Sequence, residues 1–201
     1  MAHRTIHMVS KALDGVHFQV RSIERSEEPY GFYRFDVELT IAGKHVTSLN
    51  GREHSLLRSR VTFLFEEAGA ELSREHGMIT ARSLVQRADL DGLSLGLTIR
   101  PRVWVMTSTL ATETFRDLTV PEILARKLGA AGLEEGGDFV FNLRAEHRVR
   151  QVEARLGESD LDFMTRLCGD QGIQLSFEHG GERDVLVFSD AAGAPRLPAS
   201  R

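Results

Sequence analysis

The chain has one cysteine, Cys168, in 201 residues, which excludes an intramolecular disulfide framework and any multi-thiolate metal site. It has no excess of positive charge: 25 Lys and Arg stand against 29 Asp and Glu, a formal net charge of −4. Phosphate neutralisation needs a basic surface, so nucleic acid is not an expected partner. No apolar run approaches the roughly 18 to 20 residues of a membrane-spanning helix. The opening residues, Met1 to His7, lack the apolar stretch of a signal peptide, so cytosolic synthesis and folding are expected. What is present is ordinary globular usage, 41% hydrophobic and 27% charged residues, in enough chain for one large domain or two small ones.

Two textures follow one another. From Val16 to about Thr109 the pattern predicts strands. Gly15 to Val20 alternates apolar and polar residues, and so does Phe35 to Ile41, with a turn at Ser26–Gly31 between them and an end at Ala42-Gly43. Arg60 to Phe65 reads as a strand stopped by Glu66-Glu67-Ala68-Gly69. Met78 to Ala88 and Leu93 to Met106 read as long strands joined by a hairpin at Asp89-Leu90-Asp91-Gly92. In the second of these Leu93, Leu95, Leu97, Ile99, Val103 and Val105 share one parity, which predicts an antiparallel strand with one buried face.

The second texture begins near Phe115. Thr119-Val120-Pro121-Glu122 is a capping box, with Pro121 placed in the first turn, where a missing N–H costs nothing. The helix it opens runs to a stop at Gly129. A second helix opens at Ser159-Asp160-Leu161-Asp162, carboxylates in its first turn, with Phe163, Met164, Leu167 and Cys168 as its buried stripe. Strands are predicted at Phe139–Leu143, Ile173–Phe177 and Val185–Phe188, the last two joined at Gly180-Gly181. The patternless residues from Ala191 to Arg201 read as a linker or a cut end.

Several chemical patterns fail for lack of context. Gly92-Leu93-Ser94-Leu95-Gly96 matches a serine-hydrolase motif, but Ser94 falls in a predicted strand rather than on a strand-to-helix elbow. His3 and His7 are spaced to share a helix face as metal ligands, yet have no acidic or thiol neighbour and lie in what reads as a frayed terminus. Asp89 and Asp91 imitate a calcium loop whose first and twelfth positions are occupied by Arg87 and Thr98. Asp160 and Asp162 read as capping residues, not an acid–base pair. Cys168 reads as a small buried hydrophobe, and Trp104 with Phe115 as core or interface packing. No catalytic residue, metal or cofactor is expected.

Three blocks carry a family resemblance. Leu97-Thr98-Ile99-Arg100-Pro101-Arg102-Val103-Trp104 resembles the Arg-Pro-x-x-Trp strand of VgrG spike proteins. Phe115-Arg116-Asp117-Leu118-Thr119-Val120-Pro121-Glu122-Ile123-Leu124 is similar to their F-x-x-x-T-V-P-E-I-L signature. Glu158-Ser159-Asp160-Leu161-Asp162-Phe163-Met164-Thr165-Arg166-Leu167, with Gly172-Ile173 and Phe177-Glu178-His179, is similar to their E-S-D-L-x-F-x-x-R-L…G-I…F-E-H block. With Phe32–Leu39 as the opening strand, the likeness covers residues 15 to 190. The residues that carry it are Pro101, Trp104, Thr119, Pro121, Glu122, Ser159, Asp160, Phe163, Arg166 and Leu167.

The resemblance implies an α+β, mainly β fold of barrel-like hub domains with a small α/β part holding two capped helices. It places a β-rich hub domain at 1–112, the α/β part at 113–190 and a linker or cut end at 191–201. It implies a structural hub of the type VI secretion spike, related to phage late control D proteins. That hub trimerises, adapts the hexameric Hcp tube to the spike, meets baseplate components and effectors, and is assembled in the cytoplasm and then secreted. A phage tail baseplate hub is the near alternative and a small serine hydrolase using Ser94 the distant one. The sequence departs from the family where Val152–Gly157 lacks the usual Tyr and where the strand after the second helix has few aromatics. The oligonucleotide-binding-like neck and β-helix of the family have no counterpart in the chain, so a hub fragment or a short relative needing a separate spike chain is expected.

Overall fold

Phe35, Val37, Leu39 and Ile41 are each 0–3% exposed and alternate with Asp36, Glu38 and Thr40, so one face of their strand is fully buried. In the computed structural model, which describes residues 4–46, 53–87, 92–108 and 110–190, this strand belongs to a six-stranded antiparallel sheet. Its members are β1 (Arg4–Val9), β2 (Gln19–Glu27), β3 (Tyr33–Ala42), β4 (Arg60–Glu67), β5 (Ala70–Arg87) and β6 (Gly92–Arg100), in the order β1-β4-β5-β6-β3-β2. The two ends of that order, β1 and β2, approach each other, so the sheet curls toward a barrel. Phe63, Ile79, Leu95 and Ile99 join the β3 residues in its core, all 0% exposed.

Two short helices, α1 (Gly43–Val46) and α2 (Glu53–Leu56), lie between β3 and β4. Gly77 is required by packing: a Cβ there would lie 2.5 Å from Ile99 Cγ2. With the segment His179–Asp184, residues up to Arg102 form the first of two compact units.

The structure corrects several expectations here. β1 replaces the frayed terminus, pairing Arg4–Val9 along β4. β2 begins at Gln19 and runs through Ser26 and Glu27, so the turn is confined to a 3-10 segment at Pro29–Gly31. β5 starts at Ala70, eight residues before the expected Met78. β6 stops at Arg100, because Pro101 has no N–H to continue the ladder, and Arg102–Ser108 is a 3-10 helix that carries Val103, Trp104 and Val105 off the sheet. The turn at Asp89-Leu90-Asp91 lies outside the described residues, while its flanks pair antiparallel as Arg87↔Gly92.

The second unit contains β7 (Leu110–Leu118), α3 (Val120–Ala130), β8 (Phe139–Asn142), β9 (Arg150–Ser159), α4 (Asp160–Gln171), β10 (Gln174–Glu178) and β11 (Val185–Ser189). β10-β11-β8 form one small sheet, with β11 and β8 parallel, and β7-β9 form a separate two-stranded antiparallel ribbon. Phe163, Met164 and Leu167 of α4 are 0% exposed, as are Val120, Ile123 and Leu128 of α3. α3 runs one residue past Gly129, and the left-handed position is taken by Gly132 (φ +78°), after which Leu133 N–H donates to Leu128 O at 3.0 Å. α4 ends in the same way at Gly172 (φ +66°), with Ile173 N–H on Cys168 O at 2.9 Å.

Candidate functional site

Both helix starts are built as their residues require. Thr119 N–H donates to Glu122 Oε2 at 2.7 Å and Glu122 N–H to Thr119 Oγ1 at 3.4 Å. These contacts with Thr119, backbone first, hold the Glu122 carboxyl below the usual carboxylate range. Ser159 Oγ accepts from Asp162 N–H at 3.0 Å and donates to Asp162 Oδ2 at 2.6 Å. Pro121 sits in the first turn of α3.

Asp160 does more than favour a helix start. It is 9% exposed, pairs with the Arg155 guanidinium, and receives Lys127 Nζ at 2.8 Å. Lys127 also donates to Glu113 Oε2 at 2.8 Å. Burial pulls the Lys127 ammonium down, but the hydrogen bonds it donates to Asp160 and then Glu113 prevail and hold its pKa above the ordinary value. Arg155 is 1% exposed and donates from Nε to Glu158 O at 2.9 Å. Beside it, Arg166 Nη2 holds Glu158 Oε1 at 2.7 Å and Ala154 O at 3.0 Å, while Glu153 pairs with Arg150 and Arg166. The Arg166 guanidinium lies 5.3 Å from the Phe163 ring centroid. A polar cluster thus joins β7, β9, α3 and α4.

Sequence reasoning missed Glu113, Lys127, Glu153 and Arg155. A signal existed for Lys127, which falls on the apolar stripe of Ile123, Leu124 and Leu128 at helical spacing.

The outer face of the same ribbon is the reverse. Leu110, Val152 and Leu156 are 73%, 60% and 72% exposed, against 2% for Phe115, which points inward and stacks on Phe163 at 5.5 Å. Thr112 stands opposite Leu156, Thr114 opposite Ala154 and Arg116 opposite Val152, so these residues line one open face. Gly157 (φ +63°) lies at the bulge that resets the register at Ala111/Thr112.

The remaining predicted residues are scattered. Pro101 is buried at the end of β6, Trp104 is half-buried in the 3-10 helix, and Leu167 is in the α4 core. Ser94 lies within β6 between Thr40 and Val85 and donates to Glu38 Oε1 at 2.9 Å, so the strand-to-helix elbow required of a nucleophile is not formed. His7 is on β1, 3.3 Å from Glu66, which removes the helical spacing on which a metal pair depended; His3 lies outside the described residues. Burial pushes the Cys168 thiol up to about 12. No cluster of three or more His, Cys, Asp or Glu suited to a metal occurs among the described residues.

Compared with known proteins, the chain matches a family model described as phage tail baseplate hub (GPD) over residues 29–201. The type VI secretion system spike protein VgrG1c of Pseudomonas aeruginosa is 28% identical over 196 residues, covering 98% of this chain and 26% of its own length. VgrG4b of the same organism is 30% identical over 184 residues, covering 90% and 21%. The chain therefore spans about a quarter of the length of these curated relatives. Among solved structures, the E. coli c3393 protein, a type VI secretion component with structural similarity to the T4 tail proteins gp27 and gp5, superposes with a TM-score of 0.71 at 25% identity. That match covers 91% of this chain and 52% of the other.

Proposed function

Because the chain belongs to the phage tail baseplate hub family, we propose that it is the structural hub of a contractile injection machine of the type VI spike kind. In this reading three copies form a ring that docks a spike onto a hexameric Hcp-type tube, with baseplate components and effectors as further neighbours. The chain assembles in the cytoplasm, leaves with the spike, and makes or breaks no covalent bond. The β-rich part at 1–112 and the α/β part at 113–190 are its working portions.

One observation carries the interface: the β7–β9 ribbon turns Glu113, Glu153 and Arg155 inward and Leu110, Val152 and Leu156 outward. A two-stranded ribbon is marginal by itself, and exposed large apolar side chains gain about 25 cal/mol per Å² when covered. Such a face suits a protein partner. Native mass spectrometry of the chain, alone and with the cognate spike segment, tests the reading alongside the double variant Leu110→Asp/Leu156→Asp. The expected result is a trimer for the wild type and monomers for the variant, with unchanged circular dichroism. A trimer unaffected by both aspartates, or a wild type that stays monomeric with the spike segment, would sink this interface.

A further inference from the structure

His179 closes the Phe177-Glu178-His179 block and has no task in the hub reading. β6 ends at Arg100, opposite Met78 of β5, so His76 of β5 turns its free backbone groups to side chains. His76 N–H donates to His179 Nδ1 at 3.0 Å, and its carbonyl accepts from the Tyr33 hydroxyl at 2.7 Å. Burial, with Asp184 next in influence, holds the Tyr33 phenol well above its ordinary value, so it remains a donor. The His76 ring, in a residue 3% exposed, lies 2.9 Å from Gly181 O through Nε2 and 3.0 Å from Thr62 Oγ1 through Nδ1. A carbonyl only accepts, so Nε2 carries the proton and Nδ1 accepts from Thr62. The two imidazoles stack at 6.0 Å, and Tyr33 meets His179 edge-on at 5.1 Å. At the far end of the segment, Asp184 accepts Arg102 N–H at 2.8 Å.

We propose that His179–Asp184 is a proton-released latch within the first unit: Nδ1 of His179 must stay bare to hold the His76 amide, and a proton there frees the segment from the sheet. Imidazolium carries N–H on both nitrogens and cannot accept, so the 3.0 Å contact would become one between two donors. His76 is different, because the Thr62 hydroxyl can turn and accept from a protonated Nδ1.

The surroundings set the direction. Burial is the largest influence on His179 and lowers its pKa; Glu75 of β5 and Asp184 of its own segment oppose this, while His76 and Arg25 of β2 reinforce it. Glu178, Glu182 and Arg183 are the other charges of its own stretch. With the folded pKa below the unfolded value of about 6.5, the latch is at full strength above that pH. It is lost as pH falls from there through the folded pKa.

Hydrogen exchange of the whole chain at pH 7.5 and 5.0, corrected for intrinsic rates, tests the latch at the His76 amide and across 179–184. Protection is expected to fall by up to about tenfold for each pH unit between about 6.5 and the folded pKa, and to level off below it. It should stay level in His179→Asn, which keeps a short neutral acceptor. Nitrogen-15 titration of the wild-type imidazoles gives a test independent of the variant, because His179 protonation should coincide with loss of His76 amide protection. Unchanged protection at pH 5.0, the same fall in His179→Asn, or a loss that tracks the His76 ring instead would overturn the latch.

Discussion

In β3 the inward side chains are Phe35, Val37, Leu39 and Ile41 and the outward ones Asp36, Glu38 and Thr40; in the β7–β9 ribbon, Glu113, Glu153 and Arg155 face in beside Phe115, while Leu110, Val152 and Leu156 face out. The first arrangement stabilises by area. Burial is non-directional and tolerant of small shifts, so a curled sheet with an apolar interior is specified by alternation alone. The second depends on geometry. Lys127, Asp160, Arg155 and Glu113 hold together only while every member is present, since each is costly to leave unpaired in a low-dielectric interior. Where a strand spends its inner face on ion pairs, its apolar residues are left outside, free to meet another chain.

That contrast can be broken by matched substitutions. Phe35→Ala should cost roughly 3–5 kcal/mol through the cavity left in the sheet core. Arg155→Ala should cost roughly 3–5 kcal/mol by removing a buried guanidinium, leaving Asp160 to Lys127 alone and the Glu158 carbonyl without its donor. Denaturant unfolding checks both, and an Arg155→Ala loss below a kilocalorie would mean the cluster is incidental. Thr119→Ala should cost about 1 kcal/mol by undoing one capping box, read from the same curves. The smallest effect is chemical: with its thiol near 12 and buried, Cys168 should resist thiol reagents at pH 8 in the native state and react at once in denaturant.

Alternation made β3, β4, β10 and β11 legible, and capping residues did the same for α3 and α4. β7 and β9 stayed hidden because their polarity is inverted: Glu113 and Arg155 occupy positions that period-two reading assigns to water. β6 was drawn too long because Val103 and Val105 keep the parity of Ile99 across Pro101, and side-chain parity does not register a missing N–H. The ion cluster could not be read because its members, from Glu113 to Asp160, come from four elements whose proximity no spacing encodes.

The first unit draws its last piece from His179–Asp184, more than seventy residues after Arg102. A growing polypeptide halted before that stretch would hold all six strands of the sheet but leave Tyr33 and His76 without their covering segment. Maturation of the amino-terminal half must therefore wait until residues 179–184 have been translated, and loop closure over so long a separation makes that final step slow.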